Sequence, residues 1–282
     1  MPPRPDLPMF LRALTLLGLS ALCIYLFVTA PPPLPEEGKA GAGTTIPMEQ
    51  AFTVLAAEND EARRLWTQEI VGAGKKVGLS FDEDWKREEV EAGPLPALFL
   101  KETARQMQRM STDLTFFLGS DAPIKEANRF EGQQALEFAE IRATGEPQFF
   151  EDTEHQDQVA MFPDVASAAA CVSCHNDHVD SPRDDWTLHE VMGATTWTYP
   201  AKAVSLEELL QLTEIYRAST RGAYERYLEM AASFEDPPVI GDQWPRDGER
   251  VLPSADAFME AVDRAVSSAT VLKLFDLARA DR

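Results

Sequence analysis

Residues 171–194 read CVSCHNDHVDSPRDDWTLHEVMGA, and this stretch decides which fold and chemistry the rest of the chain must support. It opens on Cys171 and Cys174, with His175 directly after them. Because the chain has only three cysteines and four histidines, chance gives this CxxCH pattern far less than one expected occurrence. Two thiols at this spacing can add to both vinyl groups of one porphyrin, and the adjacent imidazole then reaches the iron. The pattern predicts one covalent haem c per chain, with His175 as axial ligand.

Two other interpretations of the same residues compete with haem. A zinc site needs four ligands, which His178 or His189 could complete, but the chain has no second CxxC and the spacings fit poorly. A thioredoxin-like dithiol needs a strand-to-helix context and has no need of a histidine after its second cysteine. We therefore expect haem in preference to either.

Three further stretches resemble parts of a known family. They are Gly93-Pro94-Leu95-Pro96-Ala97 at the start of a helix, Ala122-Pro123-Ile124 ahead of Asn128-Arg129, and Trp186 ahead of Val191-Met192-Gly193. Together with residues 171–194 they resemble the Tll-like c-type haem domain, a PAS-like family found as the extracytoplasmic sensor of bacterial cyclases and chemoreceptors and as a free-standing cytochrome. The resemblance covers residues 47–200 and implies a PAS-like α+β fold with covalent haem and His175 as proximal ligand.

The ligand on the opposite face of the iron is left open by the sequence. At least one relative in the family looks to use a cysteine of its N-terminal helix, but here the third cysteine is Cys23, inside an apolar stretch. His178 follows His175 by a path of about 10 Å at full extension, which is too short to pass round a porphyrin. His178 is therefore expected to be a hydrogen-bonding loop residue, whereas His189 has enough chain to reach the metal. The competitors of His189 are Met107, Met110, His155, Met161, Met192 and an open sixth position.

Three more residues are predicted to contact the cofactor. Haem propionates need cationic or hydrogen-bonding partners, and Arg129 and Arg183 are the candidates, although an ordinary surface salt bridge is an equal alternative for each. Trp186 is expected to pack beside the macrocycle, which a tryptophan also does in any apolar core.

The N-terminus predicts a membrane anchor. Residues 13–30 carry no charge, and as a helix they would measure about 27 Å, close to the thickness of a bilayer. A cleaved signal peptide is the alternative, but the prolines at 31–33 make a poor cleavage site. A lipoprotein site at Cys23 fits less well, because the apolar run continues past it. Arg4 and Arg12 on the short side place residues 1–12 in the cytoplasm and the bulk in the periplasm, as a single-pass protein of a bacterial inner membrane.

The rest of the chain is predicted to form one extracytoplasmic domain, residues 47–282, after a Pro/Gly-rich linker at 31–46. It is expected to be an α+β domain with long flanking helices and a helical C-terminal extension. The predicted elements are helices at 47–71, 96–110 and 128–144, short strands at 148–150 and 159–162, and helices that begin after Ser205 and Ser254. The first helix is predicted to end at Gly72-Ala73-Gly74.

The composition limits the classes of protein to which the chain can belong. A net charge of −21 and a pI near 4.5 exclude a nucleic-acid binder, which needs a basic surface. Three classes remain: an electron-transfer cytochrome, a redox or gas sensor, and a haem enzyme such as a peroxidase. No distal acid–base pair is identifiable for an enzyme, and because we expect no output segment after the last helix, a sensor is expected to signal through a partner. We expect periplasmic electron transfer with a redox partner protein, with partner-coupled sensing at the membrane as the alternative.

Overall fold

The computed structural model describes residues 45–245 and 249–280, together with residue 19, and the side chains of the last helix as far as residue 267. The anchor predicted at 13–30 and most of the linker lie outside these residues. From residue 45 onward, the described chain belongs to one compact unit. None of the helices in the described residues is long and apolar enough to cross a membrane.

The centre of the domain is a four-stranded antiparallel sheet, which confirms the α+β class. Its strands are β4 (Thr115–Gly119), β5 (Gln148–Glu151), β6 (Gln158–Val165) and β7 (Val191–Tyr199), in the order β4-β7-β6-β5. Three short pairs complete the strands: β1 (Ile46–Pro47) with β8 (Ala203–Val204), β2 (Phe81–Asp82) with β3 (Gly93–Pro94), and β9 (Val239–Gly241) with β10 (Val251–Pro253). The predicted strands at 148–150 and 159–162 are confirmed as parts of β5 and β6.

The helices surround this sheet. They are α1 (Met48–Leu65), a π-helical segment (Trp66–Gly72), α2 (Ala73–Lys76), α3 (Pro96–Met107), a 3-10 turn (Glu126–Asn128), α4 (Gly132–Thr144), α5 (Ala169–Asp177), α6 (Leu206–Ala231) and α7 (Ala255–Ala280). The predicted starts of the last two helices are confirmed. The Ser205 hydroxyl accepts a hydrogen bond from the backbone N–H of Glu208 at 3.1 Å, and Ser254 caps α7 in the same way through Ala257 at 3.2 Å.

The predicted end of the first helix at Gly72-Ala73-Gly74 is wrong. The chain instead continues through the π-helical segment into α2, so the glycines lie inside a continuous helical run. A Cβ at Gly72 would lie 3.2 Å from the carbonyl oxygen of Thr67, and one at Gly74 would lie 3.0 Å from the side chain of Leu79. These glycines therefore allow close approach of neighbouring groups and do not terminate the helical run. Two other bounds also shift, since α3 ends at Met107 and α4 begins at Gly132.

Helices cover both faces of the sheet. One face packs α1, α3 and α6 around Phe116 and Trp197, whose rings stack at 4.5 Å, and the other face packs α4 through Phe138. A further cluster, here called the aromatic core, lies away from the sheet between the first helical run, α3, α6 and α7. In it Trp66 stacks on Phe99 at 4.3 Å, and Tyr224 stacks on Phe258 at 4.2 Å. The C-terminal helices are thus an integral part of the domain.

Candidate functional site

The CxxCH motif lies on α5, a short helix at the end of β6. None of the residues of α5 is buried, so the helix lies on the surface of the domain. The thiols of Cys171 and Cys174 are both free, the first half-buried and the second exposed. Because residues three apart on a helix are neighbours on one face, both sulfurs are available to a single ligand alongside the helix.

The imidazole of His175 has no hydrogen-bond partner among the described residues, and its Nδ1 atom is buried. Burial lowers the pKa of His175, the carboxylate of Asp164 opposes this change, and His178 adds to it. The ring is therefore neutral near pH 7, which is the form of histidine that binds metals.

Trp186 forms the apolar wall beside this imidazole. Its side chain is 2% exposed and clusters with Ala166 and Met192, against which Cys171 packs. The rings of Trp186 and His175 are 6.5 Å apart between centroids and nearly perpendicular, at 87°. Trp186, which the sequence predicts to pack beside the macrocycle, therefore lies next to the motif. The ring that it neighbours in the structure is the imidazole of His175.

A residue that the sequence prediction missed joins Trp186 to the helix. The side-chain amide of Asn176 donates to the backbone carbonyl of Trp186 at 3.0 Å, and the backbone N–H of Trp186 donates back to the amide oxygen at 2.8 Å. Asn176 directly follows the motif, but nothing in its residue type distinguishes it from any other polar residue at the end of a helix.

The two arginines predicted for the propionates both have protein partners. Arg183 donates to Asp185 at 2.6 Å and to Glu190 at 2.8 Å, and its guanidinium lies 3.8 Å from the centre of the Trp186 ring. Arg129 donates to Glu126 at 2.6 Å and also to the backbone carbonyl of Asp121. Arg183 therefore lies within the site, whereas Arg129 belongs to the neighbouring 3-10 turn, and propionate contact stays a prediction for both.

The candidates for the distal ligand lie in different parts of the domain. His189 is exposed, with its backbone in the left-handed region at φ 69°, in the turn that leads into β7. Of the methionines, Met192 packs against Trp186, whereas Met107 and Met161 are buried in the two clusters on the sheet, and Met110 accepts from the hydroxyl of Ser219 at 3.7 Å. His155 is exposed beside Asp152.

His178 is confirmed as a hydrogen-bonding residue. It directly follows the last residue of α5, and its Nε2 atom lies 3.2 Å from a carboxylate oxygen of Glu83. Lys125 also reaches Glu83, at 3.3 Å, and these contacts lower the pKa of Glu83. The loop after α2 is thereby joined to the helix that carries the motif.

The first helix approaches the site through one ion pair. Arg63 of α1 donates to Asp164 at 2.8 Å, and Asp164 is the carboxylate whose charge acts on His175. Residues 48–76 contain neither cysteine nor histidine, so the cysteine ligand of the relative has no counterpart in this helical run.

The residues present fit a covalently attached haem. Two free thiols on one helix suit thioether attachment, and they are followed by His175, whose buried Nδ1 atom has no protein partner among the described residues. In the described part of the chain, no three Cys, His, Asp or Glu side chains group to hold a metal ion, so the zinc alternative gains no support. Desolvation raises the pKa of Cys174, the opposite of what a redox-active dithiol needs.

Fold and site together define a class of protein: an α+β domain whose surface helix α5 carries a CxxCH motif. A family model described as Tll0287-like matches residues 45–200, and the chain belongs to this family. Membership confirms the resemblance seen in the sequence and indicates a haem-related domain. The comparisons with curated proteins and with solved structures find no match. The matched residues end before α6, so both C-terminal helices lie outside the family match.

Proposed function

We propose that the protein is a membrane-anchored monohaem c-type cytochrome that transfers electrons in the periplasm. In this proposal a PAS-like domain would hold one haem through thioether bonds to Cys171 and Cys174, and the imidazole of His175 would bind the iron. The observation that carries the proposal is the arrangement on α5, where both thiols are free and the next imidazole has no protein partner. The uncharged run at 13–30 supports the anchor, and attachment of haem c outside the cytoplasm supports the location.

The chain's own residues suit a carrier more than a catalyst. When bound, the haem iron supplies a one-electron redox couple. Helix α5 lies on the surface, where a second redox protein can approach. Because the net charge is −21, we propose a basic partner, with association that slows as ionic strength rises.

The test is covalent haem on the protein made in cells competent for cytochrome maturation. We expect the wild type and Ser173→Ala, which keeps both thiols, to retain haem staining on a denaturing gel. The Cys171→Ala/Cys174→Ala variant should show none. Staining that persists in the double variant would contradict thioether attachment.

A second candidate, a haem-based redox or gas sensor that signals through a partner protein, is favoured by one continuous set of contacts. The set starts at the hydrogen bond between His178 and Glu83. Phe81, two residues before Glu83 in the chain, belongs to the aromatic core, and its ring centroid lies 6.1 Å from that of Trp66. The ring centroid of Phe81 also lies 6.2 Å from that of Tyr227 on α6. On the same helix Tyr224 stacks on Phe258, which belongs to α7. A change at α5 therefore has a packed route to the C-terminal helix.

Carbon monoxide separates the two candidates. A low-spin ferrous spectrum that CO does not alter supports electron transfer, because it shows that the sixth position is filled. Uptake of CO, accompanied by altered hydrogen exchange in residues 255–280, would support the sensor and contradict the carrier. Peroxidase chemistry also requires an open position, so it is tested by the same measurement.

A further inference from the structure

The orientation of His175 is not fixed by a hydrogen bond within the described chain. Histidines that bind metals usually donate their second ring N–H to a carboxylate, a carbonyl or water, which fixes the plane of the ring. Here Nδ1 of His175 is buried with no protein acceptor among the residues described. The contact that defines one side of the ring is instead the perpendicular indole of Trp186.

We propose that Asn176 is a positioning residue, which holds Trp186 against His175 and so sets the plane of the axial imidazole. This inference rests on the proposed function. Asn176 adjoins His175 on α5, and its amide forms both a donated and an accepted hydrogen bond with the backbone of Trp186, at 3.0 and 2.8 Å. Two bonds to one residue fix both the position and the direction of the backbone that carries the indole.

The indole is also held by Arg183. The guanidinium of Arg183 packs over the ring at 3.8 Å, and Glu190 holds the guanidinium at 2.8 Å. Glu190 in turn accepts from the backbone N–H of Thr187 at 3.1 Å, so the partner of Arg183 is fixed to the same loop. Trp186 is therefore restrained through its backbone by α5 and through its ring by the loop, which makes it a rigid wall for His175.

The test compares variants of the haem-loaded protein. We expect the ferric wild type to show a single EPR species. Asn176→Ala should show several species, because the imidazole of His175 then takes several orientations, and its midpoint potential should differ from that of the wild type. Ser173→Ala is the matched control on the same helix, because its hydroxyl makes only a 3.4 Å contact with the carbonyl of Ala170. Trp186→Ala should also show several species, whereas Trp186→Phe keeps an aromatic wall and should retain one species.

The proposal is overturned if Asn176→Ala and Trp186→Ala both keep the EPR spectrum and potential of the wild type. Intact mass is recorded for every variant, so that failure of haem attachment is seen separately. If the wild type carries no haem, the proposed function fails. The hydrogen bonds by which Asn176 restrains Trp186 are then tested on the cofactor-free chain by proteolysis. Asn176→Ala should then speed trypsin cleavage after Arg183 about tenfold relative to Ser173→Ala. Equal cleavage rates would overturn the restraint.

Discussion

The aromatic core and the small cluster beside α5 are assembled differently. The aromatic core joins 18 buried side chains from the first helical run, the loop after it, α3, the β10 strand and both C-terminal helices. The cluster beside α5 has three, Ala166, Trp186 and Met192, and α5 itself buries none. Hydrophobic stabilisation scales with buried apolar area, so the fold depends mainly on the first region, whereas the second region lies beside the CxxCH motif. Changes in the first should unfold the domain, and changes in the second should alter the site within an intact fold.

The largest effect is expected from deleting residues 205–282. This removes α6 and α7, which contribute about half of the aromatic core and cover α1 and α3. We expect the remaining chain to lose cooperative thermal unfolding and to bind a hydrophobic dye, as measured by circular dichroism and fluorescence. A truncated chain that melts as cooperatively as the full one would show that residues 45–200 form an independent domain.

A matched pair of tryptophan substitutions compares the two regions directly. Trp66→Ala should lower the free energy of unfolding by about 3–5 kcal/mol, because the indole is fully buried and stacked on Phe99. Trp186→Ala, also buried, should cost about 1–2 kcal/mol, because its cluster is small and lies at the surface. Chemical denaturation measures both, and equal losses would contradict the distinction between the regions.

The ion pair between α1 and α6 tests the packing of the C-terminal helices. Arg217 donates twice to Glu58, at 2.8 Å for each bond, and the carboxylate is almost fully buried. Arg217→Met should cost about 3–5 kcal/mol at pH 7, because it leaves a buried charge unpaired. Burial raises the pKa of Glu58, and Arg217 opposes this, so removing Arg217 raises it further.

The pH dependence of Arg217→Met follows from that shift. A carboxyl whose pKa is raised on folding stabilises the fold when it is protonated, and this contribution is lost as pH rises through the folded pKa. The penalty of Arg217→Met should therefore be smaller near pH 4 than at pH 7. Adding Glu58→Gln should recover part of the loss at pH 7, and a penalty independent of pH would contradict the explanation.

The smallest effect on stability is expected at Arg183. Arg183→Gln removes two partly exposed ion pairs and the contact with Trp186, and should cost less than about 1 kcal/mol. The loaded protein should keep its haem, and the loss of the contact with Trp186 should shift its midpoint potential. Unfolding at a much lower denaturant concentration than the wild type would assign Arg183 to the stability of the fold.

Some features of these two regions could be predicted from the sequence, and others could not. The CxxCH motif identifies the candidate site on α5, and Ser205 and Ser254 mark the starts of the C-terminal helices through local hydrogen bonds that a short stretch can encode. Strand β7 went unrecognised, because helices cover both faces of the sheet and its residues do not alternate between apolar and polar. Asn176 and the aromatic core depend on contacts between distant parts of the chain, which one sequence does not reveal.

The most direct test of the account is the intact mass of the mature protein, made in cells competent for cytochrome maturation. We expect the mass of the polypeptide plus one haem, and the added mass should disappear when Cys171 and Cys174 are replaced by alanine. A wild-type protein with the mass of its polypeptide alone would contradict the proposed function.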